Sequence, residues 1–426
     1  MMAEHVFTGF GFGPIQGGLF AAEAFQSGNF TRIVVAEIDA ELVDAVRANK
    51  ASYYVNVAGS DSIEALKIDD VELLNPNISA DRQSLLEVLA QSSEIITCLP
   101  SVSFYEAGEA NSVVSLMAEG LKNSSAEATI IYTAENNNHA AEILEKAVSE
   151  KNAAQSEGKV QFLNTVIGKM SRVVTDPAEI AELRLKTIAP GINRAFLVEQ
   201  FNRIMVSRTQ IAGFKPGIKV FIEKDDLLPF EEAKLYGHNA IHSLLGFIGA
   251  VKGTRSMTEL KSDRAVMQIG RDAFLQESGA ALIKKYSYLG DELFTESGFR
   301  DFAEDLLDRM TNPYLGDTIA RVTRDVVRKL EMDGRIFGTM QLALEYGIEP
   351  ENMAIGAMAG IAVLLQKAPE YNLPEDLRFE NWRTLDEIHI EKIINWLSAR
   401  KSCKHSKQII KSINNAKTRL VKHTSD

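Results

Sequence analysis

Gly9-Phe-Gly11-Phe-Gly13-Pro-Ile-Gln16-Gly17-Gly18 closes the strand-like run His5–Gly9 and opens the helix-forming run Leu19–Gln26. Glycines at a strand-to-helix turn let the backbone bend sharply and approach a pyrophosphate, whose charge the helix N-terminus stabilises. The spacing is irregular. With Gly11 and Gly13 as the first two glycines of a dinucleotide fingerprint, the third position holds Gln16, followed by Gly17 and Gly18. A glycine-rich turn without a ligand is the plainer alternative. The place of this turn, after a strand and at the head of an alternating segment, favours a cofactor site.

Reading outward, Ile33–Ala36 forms a second strand and Ala40–Asn49 a helix, with Ile95–Leu99 and Thr129–Tyr132 as further buried strands. Short apolar strands alternating with helices predict an α/β domain, a doubly wound parallel sheet of the Rossmann type. Glu37 ends the second strand in Ile33-Val-Val-Ala-Glu37-Ile-Asp39. A carboxylate there accepts hydrogen bonds from a ribose diol and repels a 2′-phosphate, which points to NAD over NADP. Asp39 suits the N-cap of the following helix better.

Beyond about residue 195 the texture changes. Pro229–Lys252, Asp263–Tyr286, Gly298–Met310, Asp317–Glu331 and Ile336–Tyr346 carry apolar residues at helical spacing, predicting a mostly α-helical C-terminal domain. The segment Pro190–Asp226, with strand-like Lys219–Ile222, joins the two. The expected division is 1–195 for the cofactor domain, 196–385 for the helical substrate domain and 386–426 for a basic tail. In that tail Arg400, Lys401, Lys404, Lys407, Lys411, Lys417, Arg419 and Lys422 meet no acid before Asp426. A frayed, solvated helix is the expectation there, ahead of an anion-binding surface.

Composition sets the outer limits. A chain of 426 residues, 45% hydrophobic and 24% charged, is a soluble globular profile too long for one ordinary core. A net charge of −12 argues against nucleic acid and anionic membranes as partners. Two cysteines, Cys98 and Cys403, give no disulfide framework, and the N-terminus lacks a secretory pattern. No apolar run of about 18 residues is present. A cytoplasmic enzyme acting on small molecules, as a monomer or small homo-oligomer, is expected.

Hydride transfer to a nicotinamide needs a base for the alcohol proton and donors for the developing oxyanion. None of the ten tyrosines has a lysine four positions on, so a tyrosine–lysine pair is absent. No clustered Cys/His set suggests zinc, and no metal is expected. Instead, Pro229-Phe-Glu231-Glu232-Ala-Lys234-Leu-Tyr-Gly-His-Asn239-Ala-Ile-His242 places Lys234, Asn239 and His242 at offsets of five and three. At roughly 100° per residue they fall within about 140° around an α-helix, able to face one pocket. A snorkelling surface lysine is the bland reading of Lys234 alone.

These residues resemble the Lys-x4-Asn-x2-His signature of the polyol-specific long-chain dehydrogenase/reductase (mannitol dehydrogenase) family, and the likeness extends over most of residues 5–365. The resemblance implies a metal-independent NAD-linked oxidoreductase in which Lys234 is the general base and Asn239 and His242 contact the reacting oxygen. It implies a proton relay at Glu231, an oxyanion donor at Asn136 in Thr133-Ala-Glu135-Asn136, and substrate contacts at Arg321 and Lys329. Arg324 and Arg328, expected on the same helix face as Arg321, can bind a phosphate or form a solvated face. Burial or a neighbouring positive charge would bring Lys234 into a basic range useful near neutrality.

Within that family the N-terminal domain is most like that of members acting on mannitol 1-phosphate, which implies its interconversion with fructose 6-phosphate. One position departs. In Asn164-Thr-Val-Ile-Gly168-Lys169, Gly168 replaces the family's substrate-contacting aspartate, and Lys169 is a candidate for a carboxylate or phosphate. Hexuronate (tagaturonate or fructuronate) reduction and free-mannitol oxidation therefore stay open. So does a non-catalytic NAD-binding regulatory protein.

Overall fold

The computed structural model describes residues 5–151, 159–398 and 404–424. The chain divides into two compact units after Leu228. The division lies further along than residue 195 because three more strands complete the sheets of the first unit.

The first unit holds β1 (Val6–Phe10), β2 (Arg32–Ala36), β3 (Tyr53–Ala58), β4 (Ile63–Ile68), β5 (Val71–Leu74), β6 (Glu94–Thr97), β7 (Thr129–Thr133), β8 (Val160–Ile167), β9 (Ser171–Val174), β10 (Ala195–Glu199), β11 (Ile204–Ser207) and β12 (Phe221–Lys224). Eight of them form one sheet in the order β12-β11-β8-β7-β6-β1-β2-β5. From β5 to β8 every neighbouring pair is parallel; β11 then runs antiparallel to β8. The order reverses between β2 and β6 on either side of β1, the switch point at which ligands of doubly wound sheets bind.

Strand burial explains why these runs read as continuously apolar. Phe7, Ile33, Val35, Ile96, Ile130 and Tyr132 enter the core on one face of the sheet. Val6, Phe10, Val34, Ala36, Ile95 and Ile131 enter the core on the other. Both faces are covered, as a parallel sheet requires. A second sheet, ordered β4-β3-β10-β9, was not foreseen. It is built from an insertion between β2 and β5 that pairs with strands from the second half of the unit.

The second unit is helical. Its centre is the helix Glu351–Gln366, from which Met353 through Leu364 are all buried. It packs against the helices Ala240–Lys252 and Ser406–Thr424. A Cβ at Gly356 would stand 2.7 Å from Leu244 Cγ, so glycine there is what lets the two helices approach. The basic tail folds differently from expectation. Ser406–Thr424 is a packed amphipathic helix burying Ile409, Ile410, Ile413, Ala416 and Leu420. Lys404, Lys407, Lys411 and Lys422 keep the solvent face, while Arg400, Lys401 and Cys403 lie outside the described residues. Cys98 is a free thiol.

Candidate active site

The glycine-rich turn follows β1 at the switch point. Gly11 has φ +79, a left-handed conformation natural to glycine, and its N–H donates to Ala36 O at 2.9 Å, tying the turn to the end of β2. A side chain at Gly13 would meet nothing within 4 Å, so the outer face of the turn is open to a ligand. Glu37 accepts the Phe12 N–H at 2.6 Å through one oxygen and the Asp39 N–H at 2.9 Å through the other. Each oxygen keeps a lone pair for a further donor, and the fixed anion disfavours a 2′-phosphate. Asp39 caps its helix through Leu42 N–H, as expected, and pairs with Arg194 at 2.7 Å. The turn therefore fits a dinucleotide such as NAD.

Gln16, Gly17 and Gly18 lie under the turn, facing inward. The Gln16 side chain is fully buried below Gly9, and neither of its amide atoms has a hydrogen-bond partner among the described residues. Cβ atoms at Gly17 and Gly18 would stand 2.7 Å from Phe196 and 2.5 Å from Val198. These glycines serve contact with β10 of the second sheet, and Tyr53 holds the Gly17 carbonyl at 2.7 Å. Asn136 is exposed at the C-terminal end of β7. Its neighbour Glu135 is buried and accepts from Thr97, Leu99 N–H and Tyr105. Lys169, a candidate for a substrate anion, donates to Phe201 O at 3.0 Å and to Asn202. Asn202 in turn donates to Glu23, so the Lys169 amine helps to tie down a loop.

In the second unit the signature residues stand on a helix that changes type. Leu228–Glu232 is α-helical, Ala233–Asn239 is a π-helix, and Ala240–Lys252 resumes the α form. The π form bonds residues five apart, so Lys234 and Asn239 stand one π turn from each other. That corrects the α-helical angle used for the sequence and accounts for the offset of five. Widening a helix frees carbonyls, and the surrounding chain satisfies them: Ser278 and Thr339 donate to Tyr236 O, and Ser243 to Asn239 O.

Lys234 is half-buried. Burial, reinforced by the Arg335 guanidinium and opposed by Glu231, lowers its amine to about 8. Glu232 is engaged elsewhere, accepting from Lys285 at 2.7 Å and Tyr286 at 2.7 Å, which leaves Glu231 as the carboxylate acting on Lys234. A cavity of about 430 Å³ lined by Glu232, Tyr236, Lys285, Asp333 and Glu345 adjoins this helix, but Lys234, Asn239 and His242 do not line it.

His242 is buried, and its Nε2 lies 2.9 Å from Asp317 Oδ2. Arg321 grips the same carboxylate with two bonds of 2.7 and 2.9 Å. Burial would raise the Asp317 carboxyl, but His242 and Arg321 outweigh it and hold the group well below its ordinary range. Burial also keeps His242 below its usual value despite Asp317. A neutral ring that donates from Nε2 to Asp317 presents Nδ1 as an acceptor, which suits a substrate hydroxyl. His238, also buried and held well below its usual range, stands with its ring centroid 6.3 Å from that of His242.

The helix expected through Asp317–Glu331 is broken. Ile319–Val322 and Val326–Leu330 are separate short helices, with Asp325 left-handed at φ 53 between them. Arg324 and Arg328 consequently share no continuous face with Arg321 and are exposed. Lys329 turns inward. It is buried, donates to Arg324 O, and burial together with Arg335 lowers its amine to about 7. Asp317 and Arg335, which stand against the signature helix, were not among the sequence candidates. Asp317 carried a signal, its place four before Arg321; Arg335 carried none. Among the described residues no group of three or more His, Cys, Asp or Glu side chains is placed to hold a metal.

Residues 226–421 match the mannitol dehydrogenase C-terminal domain family. The mannitol-1-phosphate 5-dehydrogenase of Buchnera aphidicola subsp. Acyrthosiphon pisum (strain Tuc7) is 26% identical over 358 residues, 82% of this chain and 84% of the relative. Residues 226–421 thus carry a mannitol dehydrogenase C-terminal domain. These likenesses favour a polyol dehydrogenase over the non-catalytic regulatory alternative. Two solved structures share the fold. One is Pseudomonas fluorescens mannitol 2-dehydrogenase in complex with NAD and D-mannitol, at TM-score 0.69, 17% identity and coverage of 99% of this chain and 94% of that one. The other is a substrate-free D-sorbitol dehydrogenase, at TM-score 0.73, 15% identity and coverage of 100% and 98%. No helix among the described residues is long and apolar enough to cross a membrane.

Proposed function

We propose that this protein interconverts a polyol phosphate and its ketose, mannitol 1-phosphate and fructose 6-phosphate above the alternatives, with Lys234 as the general base. The observation that carries the chemistry is a half-buried amine lowered to about 8, one π turn from an amide and on the same helix as an imidazole fixed by Asp317. NAD, when bound, supplies the acceptor for the hydride leaving the carbinol carbon. Neutral Lys234 takes the hydroxyl proton as the carbonyl forms, and Glu231 passes that proton onward. Asn239 and Asn136 are assigned as amide donors to the oxygen, and His242 accepts from a hydroxyl of the substrate. In the reverse direction protonated Lys234 returns the proton to the alkoxide.

The sign of the pH dependence follows. Oxidation needs the free amine, so kcat/KM for the polyol should rise with pH, reach half its plateau near pH 8 and then level off. Ketose reduction needs the ammonium form and should fall above the same pH. An oxidation profile flat from pH 6 to 10 would remove Lys234 from the role. Substrate choice is tested by following NADH and NADPH oxidation with fructose 6-phosphate, fructose, tagaturonate and fructuronate. Fructose 6-phosphate with NADH should lead; a preference for a uronate would transfer the assignment to hexuronate reduction.

Glu37→Ala should weaken NADH binding about tenfold, since one good ribose hydrogen-bonding anion is lost. It should also narrow the preference over NADPH. Fluorescence titration with both cofactors checks this, and an unchanged preference would place the ribose elsewhere.

A further inference from the structure

Arg335 is a cation that, among the described residues, no carboxylate hydrogen-bonds. It is half-buried, and among the described residues its hydrogen bonding is a single bond from Nη1 to the Ser243 hydroxyl at 3.2 Å. That hydroxyl belongs to the residue after His242 and donates to Asn239 O at 2.8 Å, which places the guanidinium against the signature helix. The Asp317 carboxylate is taken by His242 and Arg321, and Asp325, the carboxylate that acts on both Arg335 and Lys329, is exposed and reaches them through space without a hydrogen bond. Lys329 approaches from the same side: Ile336 N–H donates to Lys329 O at 3.0 Å, stitching the two segments together. Among the described residues the Lys329 amine hydrogen-bonds a carbonyl, that of Arg324, and no carboxylate. Two cations drawn partly out of water with no hydrogen-bonded anion are costly to keep together, and the cost is relieved when an oxyanion enters.

We propose that Arg335 and Lys329 form an oxyanion subsite that reads the charged group, phosphate or carboxylate, of the substrate. The subsite rests on the assignment of an anionic polyol and ketose pair, and it moves the reading of that anion from the exposed Arg324 and Arg328 to two inward-facing cations. Arg335 presents a planar fork to two oxygens, and Lys329 adds a point charge. Mutual repulsion also has a consequence for Lys329. Its amine, lowered to about 7 with Arg335 as the second cause after burial, regains its proton when an anion arrives.

The test uses the full chain with two readouts. The first is selectivity, kcat/KM for fructose 6-phosphate, tagaturonate and fructuronate relative to fructose, in wild type, Arg335→Lys and Arg335→Gln. Wild type should prefer one anionic ketose over fructose by about a hundredfold or more, the worth of a charge-assisted pair. Arg335→Gln should erase that preference through KM, and Arg335→Lys should keep a part of it. The second readout is calorimetric titration of wild type with sulfate at pH 8 in buffers of different ionisation enthalpy. Sulfate does not titrate there, and the part of the proton uptake that Lys329→Met removes reports Lys329, as distinct from Lys234 with its amine near 8. An unaltered preference in Arg335→Gln, or sulfate binding without that part of the uptake, overturns the subsite. Absence of reduction of every ketose with sulfate still bound would overturn the substrate assignment alone. Which anionic ketose wins separates phosphate from carboxylate.

Discussion

Lys234→Ala should lower polyol oxidation by about a thousandfold, within the range set by loss of a positioned proton acceptor, and leave NADH affinity within about twofold. The base stands in the helical unit and the glycine-rich turn in the other, so the two functions are carried by different parts of the chain. Thermal stability should hold or rise, because the wild-type amine is kept in surroundings that disfavour its charge. Added small primary amines should restore part of the turnover in the alanine variant, which a merely structural lysine would not permit. Measured turnover near the wild-type level, or loss of NADH binding, would mean that Lys234 is not the base.

Lys234 stands out in the sequence because three polar residues at fixed offsets break an otherwise apolar helix. The helix type was not legible. Periodicity scores an α-helix, whereas the π form of Ala233–Asn239 depends on partners remote in sequence, Ser278 and Thr339, that accept the burden of a displaced carbonyl. The parallel sheet was readable from β1, β2, β6 and β7, whose runs are apolar on both faces. The second sheet was hidden, since β3 and β4 alternate and their partner β10 lies far along the chain. The helix Glu351–Gln366 is apolar all round and so shows no stripe to a pattern search. The tail misled in the opposite sense: its charge drew attention from Ile409, Ile413, Ala416 and Leu420, which were spaced to bury one face.

At the site the same division holds. Gly11, Gly13 and Glu37 follow from the local rules of a strand-to-helix turn. Arg335 has no local rule, because what sets it apart is that no carboxylate among the described residues hydrogen-bonds it in three dimensions. Arg324 and Arg328 were misplaced by one residue type of backbone. Asp325 in the left-handed region ends one helix and starts another, and aspartate is among the few non-glycine residues that adopt it readily.

Asp317 carries the other large expected effect. Its carboxylate, 4% exposed as a residue, joins His242 to Arg321, so its removal leaves a guanidinium and an oriented imidazole unsatisfied together. Asp317→Ala should cost about 3 kcal/mol, the lower end of the loss on breaking a buried pair. The lower end applies because the Arg321 side chain is 35% exposed and regains water. Asp317→Asn is milder for packing but removes the charge and with it the fixed ring tautomer of His242. Turnover should fall by roughly ten- to a hundredfold, less than direct loss of a base costs. The pH dependence has a definite sign. The folded carboxyl is held below its ordinary 3.8, so its stabilisation is complete above that value and is lost as the pH falls below it. Urea unfolding should therefore separate wild type from Asp317→Asn at pH 7 and narrow the gap between their midpoints progressively as the pH falls below 3.8. Equal midpoints at pH 7, with turnover intact, would show that the His242–Asp317–Arg321 chain neither braces the fold nor orients the imidazole.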